Sequence, residues 1–439
     1  MICLGIDLGS STIKGAVLDL DAGTVANVRS RTFPEPITGL PPGHWEISLS
    51  EILRLTRELL SELVDADATA KAVFFSSQMG GLILADEREP PTHYISWRDQ
   101  RSVTSAGARP TAMSVLRERI SAEQFQQIGQ ELKPGGPTAL LFSLAQQGQL
   151  QPGMQPLSLG SYVTSVLCER QPCIDPSEAL GTCNLITGDW HRELYHSLGI
   201  DDLQWPRLQS YRQSCGTIRC HGRELVCHPA VGDHPCALLG VGLVEQELSI
   251  NASTGSQVSV LTKNCQLGNW QTRYGFDNSF LNTITHLPAG RSLNALVSLL
   301  GTFAPPGSDL WPAIVAAVDA KQTTDLEIDL SFFDGALGSS GRMGNMTIEN
   351  LTLGDLFLAA FRNMADNYKL CSERLSACGP WNRLVLSGGL TQRVPRLRQL
   401  IQERIALPVR ECPERDDTMY GLLRLAQNVY GADIRQSCD

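Results

Sequence analysis

The sequence lacks any apolar run near the roughly 18 residues needed to cross a bilayer, so nothing in its pattern calls for a membrane span. It also lacks a basic lead followed by an apolar signal core, since Met1-Ile2-Cys3-Leu4-Gly5-Ile6 runs straight into Asp7. The expectation is a cytoplasmic protein whose first strand belongs to the mature fold. A formal charge of −10 without a concentrated basic face argues against a nucleic-acid partner, because phosphate neutralisation needs clustered Lys and Arg. The two commonest nucleotide cradles, Gly-x-x-x-x-Gly-Lys-Ser/Thr and Gly-x-Gly-x-x-Gly, are both missing. The 13 cysteines form no paired Cys-x-x-Cys knuckles. Cys215, Cys220-His221, Cys227-His228 and His234-x-Cys236 therefore read better as reduced thiols and histidines than as a structural zinc site.

What is present is a chain of 439 residues, 42% hydrophobic and 19% charged, which suits a globular protein of two or three domains. Residues 2–19 read as two strands around a tight turn at Gly9. Ser48-Leu49-Ser50-Glu51 reads as a capping box opening a helix over 49–64, with Leu49, Ile52, Leu53, Thr56, Leu60 and Leu63 at helical spacing. Strands are expected at 71–75 and 82–84, and helices broken by loops over 130–160. Strands alternating with helices point to an α/β fold. The second half repeats the opening: Ser249-Ile250-Asn251-Ala252-Ser253-Thr254-Gly255-Ser256 leads into Gln257-Val258-Ser259-Val260 as strand, hydroxyl-rich turn, strand. This suggests two related halves, 1–245 and 246–439, each bringing a hairpin to a shared cleft. Leu384-Val385-Leu386 then feeds Gly388-Gly389 at a helix start, a common way to let a nucleotide approach the backbone. Asp416-Asp417 opens the last helix, where acidic residues suit the dipole.

Two places could carry chemistry. In the opening turn, Gly9 permits the bend while Ser10, Ser11 and Thr12 offer hydroxyls and amides to an anion. Asp7 would reach a metal on the phosphates, and Lys14 could add a point charge. An ordinary hairpin with a polar turn would look the same. The second place is Gly232-Asp233-His234, where an acid after a strand-end glycine could accept a hydroxyl proton during phosphoryl transfer. A helix N-cap is the plainer alternative for Asp233.

Taken together and in order, Asp7-x-Gly9-Ser-Ser-Thr-x-Lys14, Ser77-Gln78-Met79-x-Gly81, Trp97-x-Asp99-x-Arg101, Gly232-Asp233, Ser253-Thr254-Gly255-Ser256 and Ser387-Gly388-Gly389-Leu390-Thr391 resemble the FGGY carbohydrate kinases. The likeness spans nearly the whole chain. It implies two actin-like (ribonuclease H-like) α/β domains, with sugar mainly on the first and ATP–Mg²⁺ mainly on the second. It implies that Asp7 holds Mg²⁺, that Gly9, Ser10, Ser11, Thr12 and Lys14 approach the phosphates, and that Thr254 and Gly255 close their other side. Gly290, Asn294, Gly388, Gly389 and Arg393 fall at nucleotide-side positions. Asp233 matches the catalytic base. Gln78, Met79, Gly80, Trp97, Asp99, Asp233 and His234 fall in stretches that meet the sugar.

Gln271-Thr272-Arg273-Tyr274-Gly275-Phe276 looks closest to sedoheptulokinases, while Gln78-Met79-x-Gly81 fits xylulokinases about as well. A ketose is the expected substrate, with glycerol or a sugar acid as the alternative. A homodimer is left open. There are departures: Gly80 stands where relatives often carry His, Gly160-Ser161-Tyr162 replaces a charged pair before Tyr, and Arg393 replaces an Asn. They also leave open a nucleotide-binding sensor that has lost the transfer chemistry.

Overall fold

The computed structural model describes every residue except 87, 106–109, 306, 413–415 and 437–439, with the side chains of 411 and 432–436 also left undescribed. The chain divides into two compact units: Met1–Gly242 with Thr272–Ser279 and Glu414–Asp439, and Leu243–Gln271 with Phe280–Pro413. The division changes at Gly242/Leu243 but is not a single cut, because the C-terminal helix returns to the first unit. No helix among the described residues is long and apolar enough to cross a membrane.

In the first unit β1 (Ile2–Leu8), β2 (Thr12–Asp19) and β3 (Thr24–Thr32) form an antiparallel meander. Helix α1 (Leu49–Ala66) lays Leu59 and Leu63 over Gly15 of β2, where a Cβ would come within 2.7 Å of Leu63. Only half of the expected capping box forms. Ser48 Oγ accepts from Glu51 N at 3.4 Å, but the Glu51 carboxylate turns outward to Arg54. Strand β4 (Ala72–Ser77) pairs with β1 in parallel and is buried along its whole length, as a central parallel strand must be. Residues 130–160 supply a helix at Pro137–Gln146, a short strand at Gln155–Leu157 and the start of α2 (Leu159–Cys168).

The hairpin of β5 (Gly216–Cys220) and β6 (Arg223–Cys227) joins the first half of the free β4 edge, and the short β7 (Val231–Gly232) joins the second half. The strand order is β5-β6-β4-β1-β2-β3, with β7 beside β4. Helix α3 (Asp233–Gly240) leaves β7 directly.

The second unit has the same plan. Strands β8 (Glu247–Asn251), β9 (Ser256–Thr262) and β10 (Phe280–Leu287) make a meander. Helix α4 (Gly290–Gly301) follows, then α5 (Leu353–Leu375). Strand β11 (Arg383–Ser387) pairs with β8 in parallel, and β12 (Val409–Glu411) extends that edge. Its core gathers Ile250, Val258, Leu293, Phe357, Phe361 and Leu397. The helical spacing of Val394, Leu397, Leu400 and Ile401 is met by the helix Pro395–Ile405, whose opening proline sets it off from the short helix Gly389–Arg393.

The C-terminal helix Asp417–Gln436 crosses α3 through two glycines. A Cβ at Gly240 would lie 1.7 Å from Asp417 O, and one at Gly421 would lie 2.0 Å from Cys236 O. Gly421→Ala should therefore cost about 2 kcal/mol by overpacking. Gly431→Ala, on the same helix with open space around it, should be neutral or stabilising. Urea denaturation midpoints compare the two; equal midpoints would contradict so close a crossing.

Candidate active site

Three parallel strand ends meet at one edge of the first unit's sheet. Asp7 of β1 and Val231 of β7 both register with Ser76 of β4, and Leu8 and Gly232 both register with Ser77. Side chains at the carboxyl ends of such strands are where open α/β sheets bind ligands. The turn from β1 to β2 needs glycine at position 9, because a Cβ there would sit 2.9 Å from Thr12 O. Ser10 and Thr12 are half-buried and Ser11 exposed, so the turn presents hydroxyls to solvent. Gln78 is almost fully buried and donates from Nε2 to Gly9 O at 3.4 Å.

Gly232 fixes the exit of β7. A Cβ on it would meet Ser177 O at 2.7 Å and Met79 Sδ at 2.9 Å. Gly232 itself is the cap of α3, and Asp233 is the first helical residue. The Asp233 carboxylate accepts from His234 N at 2.8 Å and from the Met79 amide. Burial nevertheless pushes it up to about 6, against the pull of those amides and of Arg273. Asp7 is pushed up to about 7, chiefly by burial, with added repulsion from Asp233 and Asp416; the 2.6 Å bond from Ser76 Oγ and the charge of Lys14 work the other way. Lys14 Nζ reaches Asp416 Oδ2 at 3.1 Å. Asp7 thus has two other carboxylates near enough to repel it, and carboxylate oxygens are hard ligands of the kind that a divalent cation such as Mg²⁺ takes.

Beside these lies a basic group. Arg273 bonds Glu131 through Nε at 2.5 Å and faces His234 Nδ1 from Nη1 at 2.8 Å. Lys133 lies near both Glu131 and Arg273, and burial draws its ammonium down to about 8. Glu178 is pushed up to about 8 by burial, with Asp233 among the charges acting on it.

A cavity of 260 Å³ opens next to the turn, lined in part by Ser10, Trp45, Gln78, Ser96 and Arg98. The Arg98 guanidinium lies 5.3 Å from the Trp97 ring and 5.7 Å from that of Trp45, and its Nη2 is 3.4 Å from Ser10 Oγ. Gly80 sits at φ +84°, with Trp97 Cβ 3.2 Å from where a Cβ would be, so the histidine of relatives would be strained here. Asp99 does not face the cavity. It is fully buried, and its carboxylate is taken by Trp45 N, Arg101 N and the Arg101 guanidinium, so it positions Trp45 and has no surface left for a sugar.

The second unit collects its own group around residues 252–255. Thr254 and Gly255 are exposed at the tip of the β8–β9 turn. Gly290 N donates to Ser253 O at 3.1 Å and Arg291 N to Thr254 O at 2.9 Å, packing the start of α4 against that turn. Gly388, at φ +90°, lies where a Cβ would be 2.4 Å from Ala252 O, and Gly389 follows in the open. Asn294 is exposed one turn along α4. Arg393 is exposed and stacks 5.7 Å from the Trp311 ring.

Sequence reasoning missed Asp416 as a site residue, and also Ser76, Glu131 and Lys133. Asp416 had a signal, an acidic pair before a helix, but helix-dipole chemistry accounts for that pair equally well. The histidines grouped with the cysteines disperse. His221 bonds Asp65 and Ser61; His228 stacks on Phe74 and bonds Tyr211 O and Tyr430; His234 turns to Arg273.

Residues 2–230 match the family model described as the N-terminal domain of the FGGY family of carbohydrate kinases. A xylulose kinase of Lactococcus lactis is 22% identical over 313 residues, covering 66% of this chain and 60% of that protein. A xylulose kinase of Staphylococcus epidermidis is 33% identical over 285 residues, covering 59% of this chain and 52% of that protein. The match thus spans little more than half the length of these relatives. Among solved structures, a gluconate kinase of Lactobacillus acidophilus superposes with a TM-score of 0.84 at 17% identity, covering 98% of this chain and 89% of that one. A xylulose kinase of the same organism gives 0.83 at 17% identity, covering 98% and 90%. At such identity the superpositions establish the two-domain α/β, actin-like fold. With that fold and a family model matched over more than half its length, the chain belongs to the FGGY family of carbohydrate kinases.

Proposed function

We propose that this protein transfers the γ-phosphoryl group of ATP to a hydroxyl of a ketose such as xylulose or sedoheptulose. The observation that carries this reading is Asp233, a carboxylate pushed up to about 6 and set beside the Asp7–Lys14 turn. A base of that affinity is ionised at neutral pH yet basic enough to take a proton as an alcohol attacks. Asp233 would orient the acceptor hydroxyl and receive its proton. Lys14, with the amides and hydroxyls of Gly9 to Thr12, would hold transferring phosphates, and Gln78, Met79, Trp97 and Arg98 would position the sugar. Thr254, Gly255, Gly290 and the Gly388-Gly389 turn would hold the nucleotide, with Asn294 and Arg393 at its margin. Asp7, with Asp416 nearby, would hold Mg²⁺, which when bound offsets charge on the phosphates. Most of the acceleration would come from positioning and charge stabilisation.

One observation favours a sugar acid as acceptor instead: Arg273 lies beside Asp233 and His234, with a second cation, Lys133, near Arg273. A panel of xylulose, sedoheptulose, gluconate and glycerol separates the readings through sugar-dependent ADP release. Lys133→Met should raise KM for gluconate about tenfold if the acid is the substrate, a change of about 1.4 kcal/mol, and leave a ketose within about twofold.

Asp233→Asn should lower kcat by at least about 10²-fold, the usual contribution of a positioned base. ATP binding, read by calorimetry, should persist. Near-normal turnover would remove Asp233 from the mechanism. For the wild type, kcat/KM should fall as pH drops through about 6, because protonating the raised carboxylate removes the base. A profile flat down to pH of about 4.5 would mean that no group of raised affinity acts as base.

A further inference from the structure

Four cysteines distant in sequence converge at the other end of β4 from the candidate active site. Cys168 closes α2, and the left-handed Glu169 after it turns the chain back so that Cys173 returns in the short strand Cys173–Ile174. Cys227 ends β6, and Cys215, just before β5, donates its amide to Cys227 O at 2.8 Å. The sulfurs of Cys168, Cys215 and Cys227 all lie within 4.8 Å of one another. Cys173 is the fourth, its thiol in hydrogen-bond reach of Cys215.

We propose that Cys168, Cys173, Cys215 and Cys227 form a tetrahedral zinc site that fastens the β5–β6 hairpin to the end of α2. Zn–S bonds of about 2.3 Å place tetrahedral sulfurs about 3.8 Å apart; Cys168, Cys215 and Cys227 already lie within 4.8 Å of one another, and Cys173, beside Cys215, would turn inward to complete the set. Cys215 lies in hydrogen-bond reach of the other three thiols. A thiol has one weak proton to give, so hydrogen bonding accounts poorly for a cysteine with three thiol neighbours. The two thiol–carbonyl contacts, Cys215 to Cys227 O at 3.4 Å and Cys227 to His228 O at 3.6 Å, involve only half the set. Four thiolates around one dication leave net negative charge, and Arg170 and Arg207 lie near enough to Cys168 and Cys173 to act on them electrostatically. Both arginines and Cys215 line a surface depression of 670 Å³, which gives an ion access. Gly216 leaves room on the last side, since a Cβ there would lie 3.1 Å from Cys168 Sγ. Soft sulfur donors of this number and shape select zinc over magnesium or calcium.

The test is metal content of the full-length protein, purified with reducing agent in metal-depleted buffer. Mass spectrometry should find about one zinc per chain, released in step with thiol titration by an organomercurial. Cys168→Ser and Cys215→Ser should lose it, whereas Cys371→Ser, buried in the second unit, should keep it. If the serine variants do not fold, cobalt added to zinc-stripped wild type decides. Tetrahedral thiolate ligation would show as sulfur-to-cobalt absorption in the near ultraviolet with ligand-field bands in the visible. Wild type without zinc and without those bands, full zinc in Cys215→Ser, or disulfides among the four would each overturn the proposal.

Discussion

Everything at the candidate site depends on one pairing, the parallel alignment of β1 with β4. It sets Asp7 opposite Ser76, whose hydroxyl bonds the carboxylate. It also leaves the far edge of β4 open for β7, which delivers Gly232 opposite Ser77 and Asp233 one step beyond. Slipping that register by one residue would reverse the face of every side chain. Asp7 would then turn away from Ser76, and the two acids would no longer share a sheet edge. The electrostatics follow from the same constraint, because burial at the strand ends raises both Asp7 and Asp233, and Asp233 adds its repulsion to Asp7.

The first hairpin and its echo were legible in the sequence because turn chemistry is local: a glycine and a run of hydroxyls announce themselves within six residues. The place of Asp233 between a strand end and a helix start was legible from Gly232 before it, though the cap offered as its plainer role falls to Gly232 itself. Asp416 was not, for its partner Lys14 lies 402 positions away. Asp99 shows the opposite failure. It sits in a motif that resembles a sugar-contacting stretch, yet Arg101 two residues on claims its carboxylate. The cysteines and histidines of 215–236 looked like one cluster along the chain, but the histidines lie outside β5 and β6 and take partners of their own: Asp65 for His221, Phe74 and Tyr430 for His228, Arg273 for His234. Spacing alone could not find Cys168 and Cys173, which arrive from another element.

Strand β4 thus separates two kinds of donor. Hydroxyl and carboxylate oxygens gather where it ends, and sulfurs where it begins, at the Val73–Cys227 pairing. Hard and soft donors attract different ions, so metals bound at the two proposed sites would not compete for each other's ligands.

The crossing of α3 and the C-terminal helix through Gly240 and Gly421 has a consequence for biogenesis. Domains tend to fold as they emerge from the ribosome, first part first. Here the first unit takes segments from before and after the second, so its sheet can assemble early while Asp416 and the helix behind it are still untranslated. During that interval the face of α3 that later meets Gly421 stays open, and Lys14 waits without its partner Asp416. Completion of the first unit therefore follows synthesis of the whole second unit, and a chain cut short before Asp416 would carry both sheets with α3 uncovered.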